Sequence, residues 1–190
     1  MRRYFLTAVP MMLLLSLLTG CGGKEMMQQA LDFRTSLLEC EQYSFTADLT
    51  ANYDDRVYDF TLECVGTPGG DMSMTVTAPD TISGISATVK NDCRTIEFDG
   101  LSLEFGPLAD GRVSPICGPA LLGACWASEY IDSTGKDEEQ TIVVYRKGYE
   151  QEEVVVRCWF DTATALPQYA EIWCGDAVVL SAELSDFSIQ

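Results

Sequence analysis

The sequence predicts an α+β domain that is mostly antiparallel β, with an N-terminal helix and a short apolar helix packed against the sheet. Three observations predict it. From Met26 to Leu38 the residues Met26, Met27, Ala30, Leu31, Phe33, Leu37 and Leu38 recur at helical spacing. From Tyr43 onward most segments alternate apolar and polar residues with a period of two, the pattern of strands with one buried face. The exception is Leu121, Leu122, Cys125 and Trp126, which share one helical face after Gly118-Pro119, where proline suits a first helical position.

Ahead of the first helix lies an export signal. Arg2 and Arg3 precede the apolar run Met11 to Leu18, and Leu18-Thr19-Gly20-Cys21 closes it. The run is short for a membrane span and is followed at once by small residues. It looks like a bacterial lipoprotein signal, in which Cys21 accepts lipid and becomes the mature N-terminus. An ordinary secretory signal and an uncleaved anchor are the alternatives, and a cysteine at the cleavage position favours the lipid. The expected division is residues 1–20 as signal, 21–25 as a lipidated tether and 26–190 as a single domain. That domain is expected outside the cytoplasm, held at the bacterial cell membrane through Cys21.

Bulk composition narrows the chemistry. The chain has 190 residues, with 12 basic and 29 acidic side chains. Arg2 and Arg3 leave with the signal and no acid does, so the mature balance is −19. Such a charge repels phosphate backbones and excludes nucleic acid as a partner. There is no histidine, which removes Ser-His-Asp and Cys-His hydrolases and His-ligated zinc sites. Besides Cys21 the cysteines are Cys40, Cys64, Cys93, Cys117, Cys125, Cys158 and Cys174, with no Cys-x-x-Cys pair. Several replace apolar residues in strand patterns, which suits buried free thiols; disulfides and an intermolecular bridge are the alternatives in an exported chain.

The strands follow in order. Tyr43, Phe45, Ala47, Leu49, Ala51 and Tyr53 alternate with polar residues; Tyr58, Phe60, Leu62 and Cys64 resume after Asp54-Asp55. Gly66 to Gly70 makes a loop, Met72, Met74 and Val76 form a third strand, and Ala78-Pro79-Asp80 ends it. Ile85, Ala87 and Val89 alternate next. Asp99-Gly100 is a two-residue hairpin signal between Thr95–Phe98 and Leu101–Phe105. Lys136 to Glu139 is expected as a solvated loop. Thr141–Lys147, Gln151–Phe160, Gln168–Cys174 and Ala177–Ile189 close the chain, with turns expected at Lys147-Gly148 and Gly175-Asp176. A tight turn at Gly175-Asp176 pairs Trp173 with Val178, and a slip of one residue exchanges the faces of Trp173 and Cys174.

The order of helix, long meander, short apolar helix and closing meander resembles the LolA/LolB type of periplasmic lipoprotein carriers and receptors. It is also similar to clostridial germination lipoproteins and other Gram-positive lipoproteins of that fold. The match is carried by Leu31-Asp32-Phe33 with Tyr43-Ser44-Phe45, by Ala78-Pro79-Asp80 with Gly84-Ile85, by Asp99-Gly100-Leu101, and by Asp161, Leu166-Pro167, Glu171 and Gly175-Asp176. The resemblance implies a strongly curved, incomplete β-barrel closed by helices around an apolar cavity. In the carriers such a cavity takes acyl chains; the germination lipoproteins partner a cell-wall amidase during sporulation.

The residues expected to line such a cavity are Tyr43, Phe45, Leu49, Phe60, Leu62, Met72, Met74, Val76, Leu103, Phe105 and Trp126. Methionines and aromatics suit a deformable lining, and an ordinary filled core would use the same residues. The acid pairs Asp54-Asp55, Glu138-Glu139 and Glu152-Glu153 fit solvated loops and strand starts better than catalytic carboxylates or a calcium loop. No catalytic residue, metal ligand or cofactor is therefore expected, and the chain is not expected to be an enzyme. The expected function is a membrane-anchored binding or scaffold protein for another envelope protein, such as a cell-wall or sporulation enzyme. A carrier or receptor for lipid or lipoprotein acyl chains is the alternative, and a carboxylate-dependent hydrolase the outlier.

Overall fold

The computed structural model describes residues 22–53, 56–90, 93–104, 106, 108–109, 112–149 and 152–190. The signal, Cys21, the pair Asp54-Asp55 and Phe105 lie outside the described residues.

Helix α1 spans Gly22–Glu39, so helical structure begins inside the stretch expected as a tether. Lys24 and Glu25 are good helix formers, and a carboxylate in the first turn favours the positive end of the helix dipole. Its buried stripe is narrower than the sequence pattern: Ala30, Phe33 and Leu37 are buried, whereas Leu31 and Leu38 face outward.

The strands that follow are β1 (Tyr43–Tyr53), β2 (Arg56–Gly66), β3 (Met72–Ala78), β4 (Ser86–Lys90), β5 (Cys93–Phe98) and β6 (Leu101–Glu104). The short pair β7 (Leu108–Ala109) and β8 (Arg112–Val113) leads to a 3-10 turn at Pro115–Cys117 and to helix α2 (Gly118–Trp126). The chain closes with β9 (Ser133–Asp137), β10 (Gln140–Tyr149), β11 (Glu152–Asp161), β12 (Pro167–Cys174) and β13 (Ala177–Ile189).

Eleven of these strands form one antiparallel sheet in the order β6-β5-β4-β3-β2-β1-β13-β12-β11-β10-β9. The two ends do not pair among the described residues, so the sheet is an incomplete barrel with β1 at its middle. Register agrees with the alternation: Phe45 faces Cys64, Ala47 faces Leu62 and Leu49 faces Phe60 across β1 and β2. Cys64 then faces Met74 across β2 and β3. At Asp99-Gly100 both φ angles are positive, 50° and 77°, as a tight primed hairpin turn requires.

Four details differ from the sequence expectation. Ser133–Asp137 is a strand rather than part of a loop, and the turn is confined to Glu138-Glu139, with φ 50° at Glu138. Lys147 and Gly148 do not turn; they pair with Val154 and Glu153 inside the β10–β11 ladder. Helix α2 is buried nearly all round, Gly118, Pro119 and Gly123 included, and it ends before Glu129. Trp173 does pair with Val178, but a bulge after Ile172 leaves both Trp173 and Cys174 half-buried.

Candidate functional site

The centre of the concave side of the sheet is filled by the chain's own side chains. Trp126, at the end of α2, is 1% exposed and packs with ring centroids 5.3 Å from Phe45, 6.0 Å from Phe33, 5.6 Å from Phe187 and 6.4 Å from Tyr43. Phe33 from α1 adds an edge contact to Phe160 at 5.1 Å. Edge-to-face rings of this kind contribute beyond their buried area. Among the described residues the buried Trp126 Nε1–H has no hydrogen-bond partner of ordinary geometry; the Cys158 thiol is the polar group it approaches.

Phe187 belongs to this cluster although its position in β13 breaks the alternation. Leu180, Ala182 and Leu184 are buried, so an odd-numbered residue should point outward. Asp186 adopts φ 52° where the β1–β13 register shifts between Ser44 and Thr46. That bulge turns Phe187 inward, onto Phe45 at 5.6 Å and Tyr43 at 6.3 Å. Ser185-Asp186, an acid able to take the left-handed conformation, is the signal that could have marked it.

Of the expected cavity residues, Tyr43, Phe45, Met72, Met74 and Trp126 are buried in the core. Leu49, Phe60, Leu62 and Val76 line a cleft of about 250 Å³ together with Ile82, Ile85, Ile96, Ser114, Pro115 and Ile116. This lies below the roughly 300–1,000 Å³ of pockets that bury a drug-sized ligand. The 3-10 turn forms one wall, and Tyr53 fixes the segment before it by donating from Oη to the Val113 carbonyl at 3.2 Å.

Leu103 requires correction. It is 68% exposed, because β6 ends the sheet and α2 packs on β2 and β3 rather than on β5 and β6. Ile96 pairs with Leu103 and Phe98 with Leu101, so all four residues share the concave face. Ile96 reaches the cleft, while Phe98 (51%) and Leu101 (77%) stay open to solvent with Leu103. Sequence alternation identified the face but not the point where its cover stops.

The titratable groups are plain. Glu138 and Glu139 sit exposed at the β9–β10 turn, and Glu153 pairs with Arg146 at 3.1 Å. Among the described residues no three His, Cys, Asp or Glu side chains are placed to hold a metal. All seven described cysteines are free thiols. Burial pushes Cys117 up to about 11 and Cys125 up to about 12, and raises Cys64 and Cys158 further, so these are poor nucleophiles.

No family model matches the chain, and no curated protein matches it in sequence. Solved structures are similar to it in fold. A DUF1329 family protein from Desulfovibrio piger superimposes with a TM-score of 0.51 at 10% identity, covering 88% of this chain and 92% of that one. A LolA superfamily protein from Nitrosomonas europaea gives 0.46 at 9% identity, over 85% and 93%. The structure of the CwlD amidase from Clostridioides difficile in complex with the GerS lipoprotein gives 0.44 at 14% identity, over 84% and 93%. The arrangement expected from the sequence, a helix, a long meander, a short apolar helix and a closing meander on one curved open sheet, is the observed one, and in fold it is similar to the DUF1329 family protein.

Proposed function

We propose that the chain is a lipoprotein of the bacterial envelope, tethered through Cys21, whose half-barrel is a binding or scaffold module for another envelope protein such as a cell-wall enzyme. The observation that carries this reading is the division of the concave face. Its centre is occupied by the Trp126 cluster, and its β5–β6 end presents Phe98, Leu101 and Leu103 to solvent. A filled centre leaves little room for an acyl chain, whereas exposed apolar side chains on a terminal strand suit contact with a macromolecule. Among the described residues no strand pairs with the outer edge of β6, which adds its backbone groups to that surface.

The apolar lining of the 250 Å³ cleft supports a second reading, a carrier or receptor for a lipid chain. Native mass spectrometry of the full chain, extracted from its own membrane in mild detergent, separates the two. The scaffold reading expects one covalent lipid and no retained second lipid. A stoichiometric second lipid that leaves on denaturation would favour the carrier.

A further inference from the structure

The outer face of β9 to β12 departs from the surface on the rest of the sheet. On β1, β2 and β13 the outward residues are mostly serines, threonines and acids, among them Asp48, Asp59 and Glu183, with the small apolar Val57 and Val65 as exceptions on β2 and no outward aromatic ring among the described residues. On β10 to β12 the outward positions hold Ile142, Val144, Val155, Trp159, Tyr169 and Trp173, all half-buried. A groove of about 400 Å³ runs over this face, with Trp159 and Trp173 in its lining, a size within the usual range of about 300–1,000 Å³ for ligand sites.

The two indoles are held in place by the chain itself. Trp159 donates from Nε1 to Asp137 Oδ2 at 3.0 Å, and Trp173 donates from Nε1 to Glu171 Oε2 at 2.9 Å. Their polar edges are thus satisfied, and what they offer a ligand is flat apolar ring surface. The Arg157 guanidinium lies 4.4 Å from the Trp173 ring centroid, and Trp159 packs on Tyr169 at 5.2 Å, which fixes both rings further. Trp159 faces Tyr169 and Trp173 faces Val155, so the tryptophans sit four residues apart along β11, about 13 Å.

Polar and apolar groups alternate across the groove floor. Ile142 lies beside Trp159, Val144 beside Arg157, and Arg146 beside Val155. Arg146 is paired with Asp132 at 3.1 Å, and Arg157 supplies a second positive charge. On a chain of net charge −17 this lining carries two guanidinium groups and one carboxylate, with Arg146 already ion-paired and Arg157 stacked on Trp173, so no strong field of either sign selects a charged ligand and an uncharged, hydroxyl-rich one fits. A pyranose ring matches such a floor, with C–H faces for the indoles and hydroxyl edges for the guanidinium and carboxylate groups. We propose that the groove binds a polysaccharide, spanning a short oligosaccharide stretch between Trp159 and Trp173. This site is separate from the β5–β6 surface and does not depend on it.

The test is a titration of the full chain in detergent with tetra-N-acetylchitotetraose and with cellotetraose, followed by intrinsic fluorescence and calorimetry, alongside co-sedimentation with purified cell-wall sacculi. The expected result is saturable binding to at least one of these glycans, weakened about tenfold or more by Trp159→Ala or Trp173→Ala. Trp173→Phe should retain most of the binding, and Arg157→Lys should weaken it while leaving the melting temperature near that of the parent. Absence of binding to all three, or binding that the tryptophan variants leave unchanged, would overturn the proposal. Loss of a captured envelope protein in these variants, with no glycan binding by the parent, would reassign the groove to a protein partner.

Discussion

The Tyr43 phenol ends against Gly123, filling the space a side chain on that helix residue would need. A β-carbon built at Gly123 meets the Tyr43 hydroxyl and lies 2.8 Å from Met72 Cε. The same ring also closes over Gly66, so one tyrosine at the start of β1 relies on two glycines, one in α2 and one in β2. This contact sets how closely α2 approaches the sheet. Gly123→Ala is therefore expected to destabilise the fold by about 1–3 kcal/mol through overpacking, and adding Tyr43→Phe should recover part of the loss. Chemical denaturation of the two variants checks both statements; an additive pair would show that the contact is not shared.

Thiol reactivity should follow burial. Cys93 is exposed, Cys40 and Cys174 are half-buried, and Cys64, Cys117, Cys125 and Cys158 are buried. Near pH 8, maleimide is expected to modify Cys93 first, then Cys40 and Cys174. The four buried thiols, kept protonated by desolvation, should react only on unfolding. Peptide mapping after timed labelling gives the order.

Asp161 supplies a pH dependence. Its carboxylate accepts from the Thr164 hydroxyl at 2.8 Å, the Thr164 amide at 2.7 Å and the Ala163 amide at 3.1 Å. The Thr164 side chain first, and the amides with it, hold its pKa below the ordinary carboxylate value. A folded pKa below the unfolded one means that the stabilisation is present above the unfolded pKa and is lost as pH falls through the folded one. Thr164→Ala should raise the Asp161 pKa in a carboxyl-detected NMR titration. It should also bring the acid loss of the loop's protection to a higher pH.

The exposed end of the concave face makes a different demand. Leu101→Ser and Leu103→Ser remove apolar atoms already in water, so stability should change by no more than about 0.5 kcal/mol. Retention of the envelope partner should fall. A large drop in melting temperature would instead show that these leucines are structural.

Most of the scaffold was legible in the alternation, because a half-buried antiparallel strand must place every second side chain on the core side. Asp99-Gly100 announced its turn for an equally local reason: two successive positive φ angles favour Asp-Gly. What escaped is non-local. Phe187 turns inward only because a bulge at Asp186 shifts its strand against β1, and Leu103 lies bare only because α2 stops over β2 and β3. Lys147-Gly148 resembled a turn by composition, yet pairing on both strands carried the ladder through it. The outward tryptophans of β11 and β12 were likewise hidden, since alternation alone does not say which face carries a groove.

If the half-barrel is a scaffold, the exposed Leu103 side chain touches a protein partner in the cell. A photo-crosslinking amino acid placed at that position, in the full chain with residues 1–21 included, reports its neighbour on brief illumination of intact cells. The expected result is a discrete covalent adduct with one envelope protein, absent when the same group replaces Glu63, exposed on the outer face of β2. Adducts with lipid alone, or none above the Glu63 control, would overturn the scaffold reading.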